Sequence, residues 1–255
     1  MEKEEQYFLK HMMDLANQAY MTNRPVVSSF LNLYEQSLFL SMQQKPDFYC
    51  NFPLPFSWWG GYEMAERKRL LFAHSIAKKD FQIAILQIQP QHPKYAVSMN
   101  HRDFLGSILN LGLKRETIGD ILIEGQSAYV FCQMDMATFI CENLSFVKNN
   151  AVTLSLLANL TKNIEPKLTE ETGSVSSLRI DCVIALAFHL SRKQAQELIN
   201  RELVFIDSRL IKHTSILLKE GQTISVRGKG KCIFSHIVST TKKGNLWICL
   251  KRYQS

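Results

Sequence analysis

No hydrophobic run in this chain approaches the roughly 20 residues that a membrane-spanning helix requires. The start, MEKEEQYFLKHMMDLANQAY, mixes acids into an amphipathic pattern, unlike a signal or transit peptide, so the expected compartment is the cytoplasm. There is no C-x-x-C pair and no histidine at zinc-ligand spacing from a cysteine. Cys50, Cys132, Cys141, Cys182, Cys232 and Cys249 are scattered and read as small buried hydrophobes in a reducing compartment. Also missing are a G-x-G-x-x-G between strand and helix, a Walker loop and an H-E-x-x-H. No cofactor, metal or catalytic residue is therefore expected, and the chain is not expected to be an enzyme.

What is present is an uneven charge. The 255 residues carry a formal net charge of +7. From Ser174 to Ser255 there are fourteen Lys or Arg against five Asp or Glu; the first 173 residues hold sixteen against eighteen. The whole positive excess lies in the last third, as expected of a module with a polyanion-binding surface, although a merely solvated basic face would have the same composition.

The pattern of residues predicts an α+β protein of three parts. Residues 1–68 form a mostly helical region, with Phe8, Leu9, Met12, Met13 and Leu15 at helical spacing and a second helical pattern in SSFLNLYEQSLFLSMQQ. Pro46, Pro53, Pro55 and Gly60-Gly61 predict an irregular connection, in which Trp58 and Trp59 either stack on bases or, as aromatics beside prolines more often do, seal a small core. Residues 69–158 read as strand, helix, two strands about Glu124-Gly125, helix, strand. That is the ferredoxin-like or RRM-like order, with Asn100 as a helix cap. Residues 159–173 are polar, aperiodic and placed as a linker, and 174–255 form the basic module.

Within that module Ile180, Val183, Ile184, Ala187 and Phe188 mark one helix. HLSRKQAQELI opens another, with Ser191 as cap and Gln194 at the reciprocal position. Arg192 and Lys193 stand at a helix start, where cations are locally unfavourable, so an outside anion would resolve the conflict and so would extension into water. Arg192, Lys193, Gln196 and Asn200 share a face about 100° wide, with Lys193 at its edge.

Arg179-x-Asp181, then Leu190-Ser191-Arg192-x-x-Ala195-x-x-Leu198-Ile199, Val204-x-Ile206-Asp207 and Leu217-Leu218-x-x-Gly221-x-x-Ile224-x-Val226-Arg227 resemble the RNA-binding domain named for small-subunit ribosomal protein four. With GLKRETIGDILI (112–123) and SVRGKGK (225–231), the chain resembles the YlmH family of bacterial RNA-binding proteins. The resemblance implies a helical N-terminal region, a ferredoxin-like middle domain and a C-terminal S-four-type domain. It also implies a non-catalytic factor contacting rRNA or tRNA on the large ribosomal subunit, in ribosome-associated quality control of stalled peptidyl-tRNA. The RNA-binding residues it implies are Arg179, Ser191, Arg192, Lys193 and Gln196, widened by Arg201, Arg227, Lys229 and Lys231, with Asp181 orienting Arg179 or capping backbone N–H groups.

The chain departs from the family at Glu202, where glycine is common, and at Gln222, where Asp commonly follows Gly221. The first puts a side chain at a turn that favours φ > 0. Two alternatives remain at this stage. Related RNA-binding modules occur in pseudouridine synthases, which need a catalytic Asp; Asp80, Asp103, Asp120 and Asp135 are available, but Asp103 and Asp120 read more simply as capping or turn residues. Family context also offers a division-linked protein scaffold. Oligomeric state is open.

Overall fold

The computed structural model describes residues 3–44, 46, 48, 52, 54–158, 168–241 and 244–253. Cys50, Pro53 and residues 159–167 of the expected linker lie outside them. The chain divides into two compact units, Met1–Glu165 and Pro166–Ser255.

The first unit begins with α1 (Lys3–Thr22), which buries Leu9, Met12, Ala16 and Ala19, a stripe at i, i+3, i+7 and i+10. A capping box opens α2 (Leu33–Met42): Asn32 Oδ1 accepts from the Glu35 N–H and Glu35 Oε2 accepts from the Asn32 N–H. Both helices share a core with an antiparallel sheet ordered β1 (Val26–Val27), β3 (Arg69–Phe72), β2 (Phe56–Trp59). The Phe39 ring lies 5.0–6.1 Å from those of Phe48, Phe52, Phe56, Trp58 and Phe72 in edge contacts. Trp58 and Trp59 pack into cores. Residues 69–72, read from the sequence as the start of the middle part, are instead the central strand of this sheet. All four are buried, and pairing on both edges satisfies their backbone groups.

The same unit continues with β4 (Ile83–Pro90), α3 (His101–Leu109), β5 (Ile118–Glu124), β6 (Ser127–Gln133), α4 (Met134–Asn143), β7 (Phe146–Val147) and β8 (Asn150–Leu157). The sheet order is β5-β6-β4-β8-β7, with every pair antiparallel. This is the expected ferredoxin-like arrangement, extended by the short β7. Leu86, Ile88, Val130 and Cys132 pack beneath Phe104, Ile108 and Ile140 from the two helices. Asn100 caps α3 as expected, and Asp103 completes its capping box.

The second unit contains β9 (Leu168–Val175), α5 (Ile180–Ala187), α6 (Arg192–Asn200), β10 (Val204–Ile206), β11 (Arg209–Leu210), β12 (Thr223–Val226), β13 (Gly230–Thr240) and β14 (Leu246–Tyr253). Its sheet runs β11-β10-β12-β13-β14-β9, and Ile180, Val183, Ile184, Ala195 and Ile199 share one core with Ile224, Phe234, Ile248 and Leu250. One sequence expectation needs correction: residues 168–173 are not linker but most of β9, paired with β14 from Leu168↔Tyr253 to Val175↔Leu246. An edge strand rich in Thr and Glu shows little apolar alternation, so its pairing was invisible in the sequence. Gly173 faces Leu186 so closely that an added Cβ would lie 2.5 Å from Leu186 Cδ1.

Glu202 adopts φ 56°, keeping the left-handed turn after α6 despite its side chain, and its carboxylate pairs with Lys212 at 2.9 Å. Gln222 ties the following turns together, accepting from the Lys219 N–H at 2.8 Å and donating to Asp207 Oδ2 at 3.1 Å. Cys132, Cys141, Cys182, Cys232 and Cys249 are free, and burial pushes the thiols of Cys132 and Cys232 up to about 12. Among the described residues, no helix is long and apolar enough to cross a membrane.

Candidate nucleic-acid interface

Asp181, one residue into α5, is fully buried and accepts hydrogen bonds from several directions. Arg179 meets it edge-on, donating from Nε to Oδ1 and from Nη2 to Oδ2, both at 3.1 Å. Arg192 Nε donates to Oδ2 at 3.0 Å and Gln196 Nε2 to the same oxygen at 2.9 Å, while the Cys182 N–H reaches Oδ1 at 3.1 Å. Burial alone would raise the carboxyl pKa, but the bonds from Arg179, Gln196 and Arg192 hold it well below the usual carboxylate range. The side chains of Arg179 and Arg192 are nevertheless 34% and 53% exposed.

The carboxylate thus holds one edge of the Arg179 guanidinium and the Nε of Arg192, leaving the outer N–H groups of two partly exposed side chains directed away from it. Two arginines against one aspartate leave a local net of one positive charge. The start of α6 is built as the sequence predicted: Ser191 Oγ accepts from the Gln194 N–H at 3.2 Å and Gln194 Oε1 accepts from the Ser191 N–H at 2.9 Å. Lys193 is exposed. Rigid guanidinium forks with free donors suit phosphate oxygens.

The remaining predicted residues do not gather at Asp181. Arg201 follows Arg192 by nine residues, about 180° around the helix axis. It lines a separate cleft with Leu190, Gln194, Glu197, Leu198 and Lys229. Arg227 places its guanidinium 5.3 Å from the Phe205 ring centroid, and its N–H donates to the Leu203 carbonyl at 2.9 Å. Lys231 lies 4.9 Å from the Tyr253 ring centroid. Gly228, at φ 76°, makes the turn that carries Lys229 between β12 and β13. Asp181 is the residue whose weight the sequence understated: Arg-x-Asp suggested one partner, whereas Arg192 and Gln196 reach it only once α5 and α6 pack.

The sequence assigned no RNA-binding residue to the ferredoxin-like half of the first unit, and its sheet face shows whether bases could stack there. RRM domains stack bases on aromatic side chains of the central strands. Here Tyr129 and Phe131 of β6 alternate with Ala128, Val130 and Cys132, which face the helices, and so lie on the opposite face. That face is closed at both. Tyr62 stacks on Phe131 with centroids 5.0 Å apart, and Phe131 is fully buried. Tyr129 is 5% exposed, and its hydroxyl donates to Glu124 at 3.0 Å and accepts from Gln87 at 3.1 Å.

The cover is held by the GLKRETIGDILI motif. Asp120 accepts from the Tyr62 hydroxyl at 2.8 Å and from the Glu66 and Arg67 N–H groups at 2.6 and 3.0 Å. Arg67 in turn donates to the Phe30 and Ile118 carbonyls at 2.8 and 3.1 Å. Among the described residues no group of three or more His, Cys, Asp or Glu side chains could hold a metal ion.

Residues 4–77 match the family model described as "YlmH, N-terminal", and residues 77–161 match the one described as "Putative RNA-binding domain in YlmH". The chain is 29% identical over 252 residues to "Ribosome-associated protein quality control protein P2" of Bacillus subtilis (strain 168), a match covering 98% of this chain and 96% of that relative. Among solved structures, "Cell division protein ylmH from Streptococcus pneumoniae" has a TM-score of 0.50 at 19% identity, covering 62% of this chain and 93% of the other, a likeness of fold.

Proposed function

The chain belongs to the YlmH family, and from that premise we propose a non-catalytic RNA-binding factor that contacts rRNA or tRNA on the large ribosomal subunit, in quality control of stalled peptidyl-tRNA complexes. The observation that carries the RNA contact is the pairing of Arg179 and Arg192 on buried Asp181, with their outer edges exposed. Arginines already held in position lose little rotamer freedom when phosphate oxygens arrive, and the open end of α6 adds N–H groups of the same polarity. Gln196 ties α6 to the start of α5 through Asp181, Ser191 caps α6, and Lys193 adds charge at the rim. Arg201 and Lys229 extend the basic surface around the other side of α6, and Arg227 and Lys231 extend it across the sheet. A surface of this kind reads the shape and backbone of folded RNA rather than base edges. The link to ribosome-associated quality control is supported by the name of the Bacillus relative, which matches nearly end to end.

Sucrose-gradient sedimentation of purified large subunits with wild-type protein and an Arg192→Ala/Lys193→Ala variant tests the contact. The variant is expected to leave the subunit fractions at a salt concentration where the wild type stays bound. Equal sedimentation of both forms would refute the contact surface.

A further inference from the structure

Between β4 and α3 the chain crosses a loop, residues 91–100, on which Tyr95 is 87% exposed, more than any other large hydrophobic residue among those described. Isolated exposed apolar residues are ordinary, so exposure alone carries little. The loop beneath this one, however, is fastened on both sides. Asn150, 6% exposed, accepts the Val97 N–H on Oδ1 at 2.8 Å and donates from Nδ2 to the Val97 carbonyl at 2.9 Å. Gln126 Nε2 donates to the Ala96 carbonyl at 3.3 Å, Lys148 Nζ to the Ser98 carbonyl at 3.2 Å and the Gln91 N–H to the Ala151 carbonyl at 2.9 Å. Pro93–Tyr95 forms a tight 3-10 turn, closed by the Tyr95 N–H on the His92 carbonyl at 3.1 Å. The phenol ring stands clear of this frame, beside exposed His92 and Lys94.

We propose that this loop is a second RNA contact, in which Tyr95 stacks on an unpaired base and Lys94 meets the neighbouring phosphate. The inference rests on the RNA-binding reading and gives it a residue outside the S-four-type domain. The aromatics of β6 are closed to bases by Tyr62 and by hydrogen bonding, so stacking by this module needs another ring. The backbone that carries Tyr95 is fixed by its loop, and the Lys94 cation is next to it in the chain, the combination that single-stranded RNA sites use. A fixed backbone leaves only the side-chain rotamers of Tyr95 to be ordered on stacking.

The test is equilibrium binding of the full-length chain to fluorescently labelled rRNA from isolated large subunits, as a function of salt. Tyr95→Ala is expected to weaken binding roughly tenfold with little change in salt slope, since stacking releases few ions. Tyr95→Phe is expected to stay within about twofold of wild type, because the ring and not the hydroxyl does the stacking. Lys94→Ala is expected to reduce the log–log salt slope by about one. Thermal unfolding of all three variants is expected to match wild type, because both side chains lie outside the core. Wild-type affinity for Tyr95→Ala, or an equal loss in Tyr95→Phe, overturns the proposal, and a protein-docking role for the ring gives the first of these results. If Arg192→Ala weakens binding and Tyr95→Ala does not, this inference falls and the RNA-binding function stands. If the wild-type chain binds neither the rRNA nor labelled tRNA under the same conditions, both fall.

Discussion

Asp181 has no exposed surface, yet its neighbours keep it charged, and its protonation ties the basic face to pH. Its folded pKa lies below the unfolded value of about 4, so its stabilisation is present above that value and is lost as pH falls toward the folded one. The protection factors of the α5 and α6 amides, taken against the intrinsic exchange rate at each pH, should therefore fall below about pH 4 in the wild type. In Asp181→Asn the same amides should exchange faster at pH 7, by an opening cost about 2 kcal/mol lower, with less further change in acid. Glu202 presents the opposite case, a residue at φ 56° where glycine carries no Cβ penalty. Glu202→Gly removes about 1 kcal/mol of backbone strain and loses only a surface ion pair with Lys212. Its second unit should resist urea slightly better than wild type, measured by exchange of the α6 amides; a clear loss of protection would show that the Lys212 pair outweighs the strain.

At the scale of elements, the first unit is joined by close approaches between the helical region and the face of the ferredoxin-like sheet. Gly119 on β5 sits where an added Cβ would be 2.7 Å from Phe30 Cε1 and 3.1 Å from Phe131 Cβ. Phe30 and Phe131 are both buried, so neither can swing away cheaply. Gly119→Ala should destabilise this unit by about 1–3 kcal/mol, read as a lower urea midpoint of Trp58 and Trp59 fluorescence. Arg69 works in the same region through its fork: Nε donates to the Ser28 carbonyl at 2.7 Å and Nη1 to the Phe81 and Gln82 carbonyls, both at 2.8 Å. Burial lowers its pKa to about 10, still far above neutrality, so the cation persists. A lysine offers a point charge instead of a planar fork, so Arg69→Lys should lower the same urea midpoint.

For the whole molecule, the relevant quantity is where charge lies. Fourteen cations against five acids in residues 174–255, beside a slightly acidic remainder, concentrate polyanion attraction in one unit. If that unit neutralises about five phosphates, the log–log slope of RNA affinity against salt should be near −4, and Arg192→Ala should make it shallower by about one. An affinity independent of salt would contradict the electrostatic mechanism. The Tyr95 contact, being largely non-ionic, should instead change the intercept of that plot.

Local patterns in the sequence were enough for the ferredoxin-like strand and helix order, the caps at Asn100 and Ser191, and the two helices carrying the basic residues. Each depends on periodicity or on side chains within a few residues of one another, and short-range physics suffices to decide them. Strand β9, the central place of Arg69–Phe72 and the covering of Phe131 were decided elsewhere. A polar edge strand is recognised by its partner, and a closed sheet face by what packs on it from about seventy residues away, as Tyr62 does on Phe131. The candidate interface divides in the same way. The identity of Arg179 and Arg192 was legible as charge at two helix starts, but their joint grip on Asp181, and the separation of Arg201 and Lys229 into another cleft, arise only when α5, α6 and the β12–β13 turn come together in three dimensions.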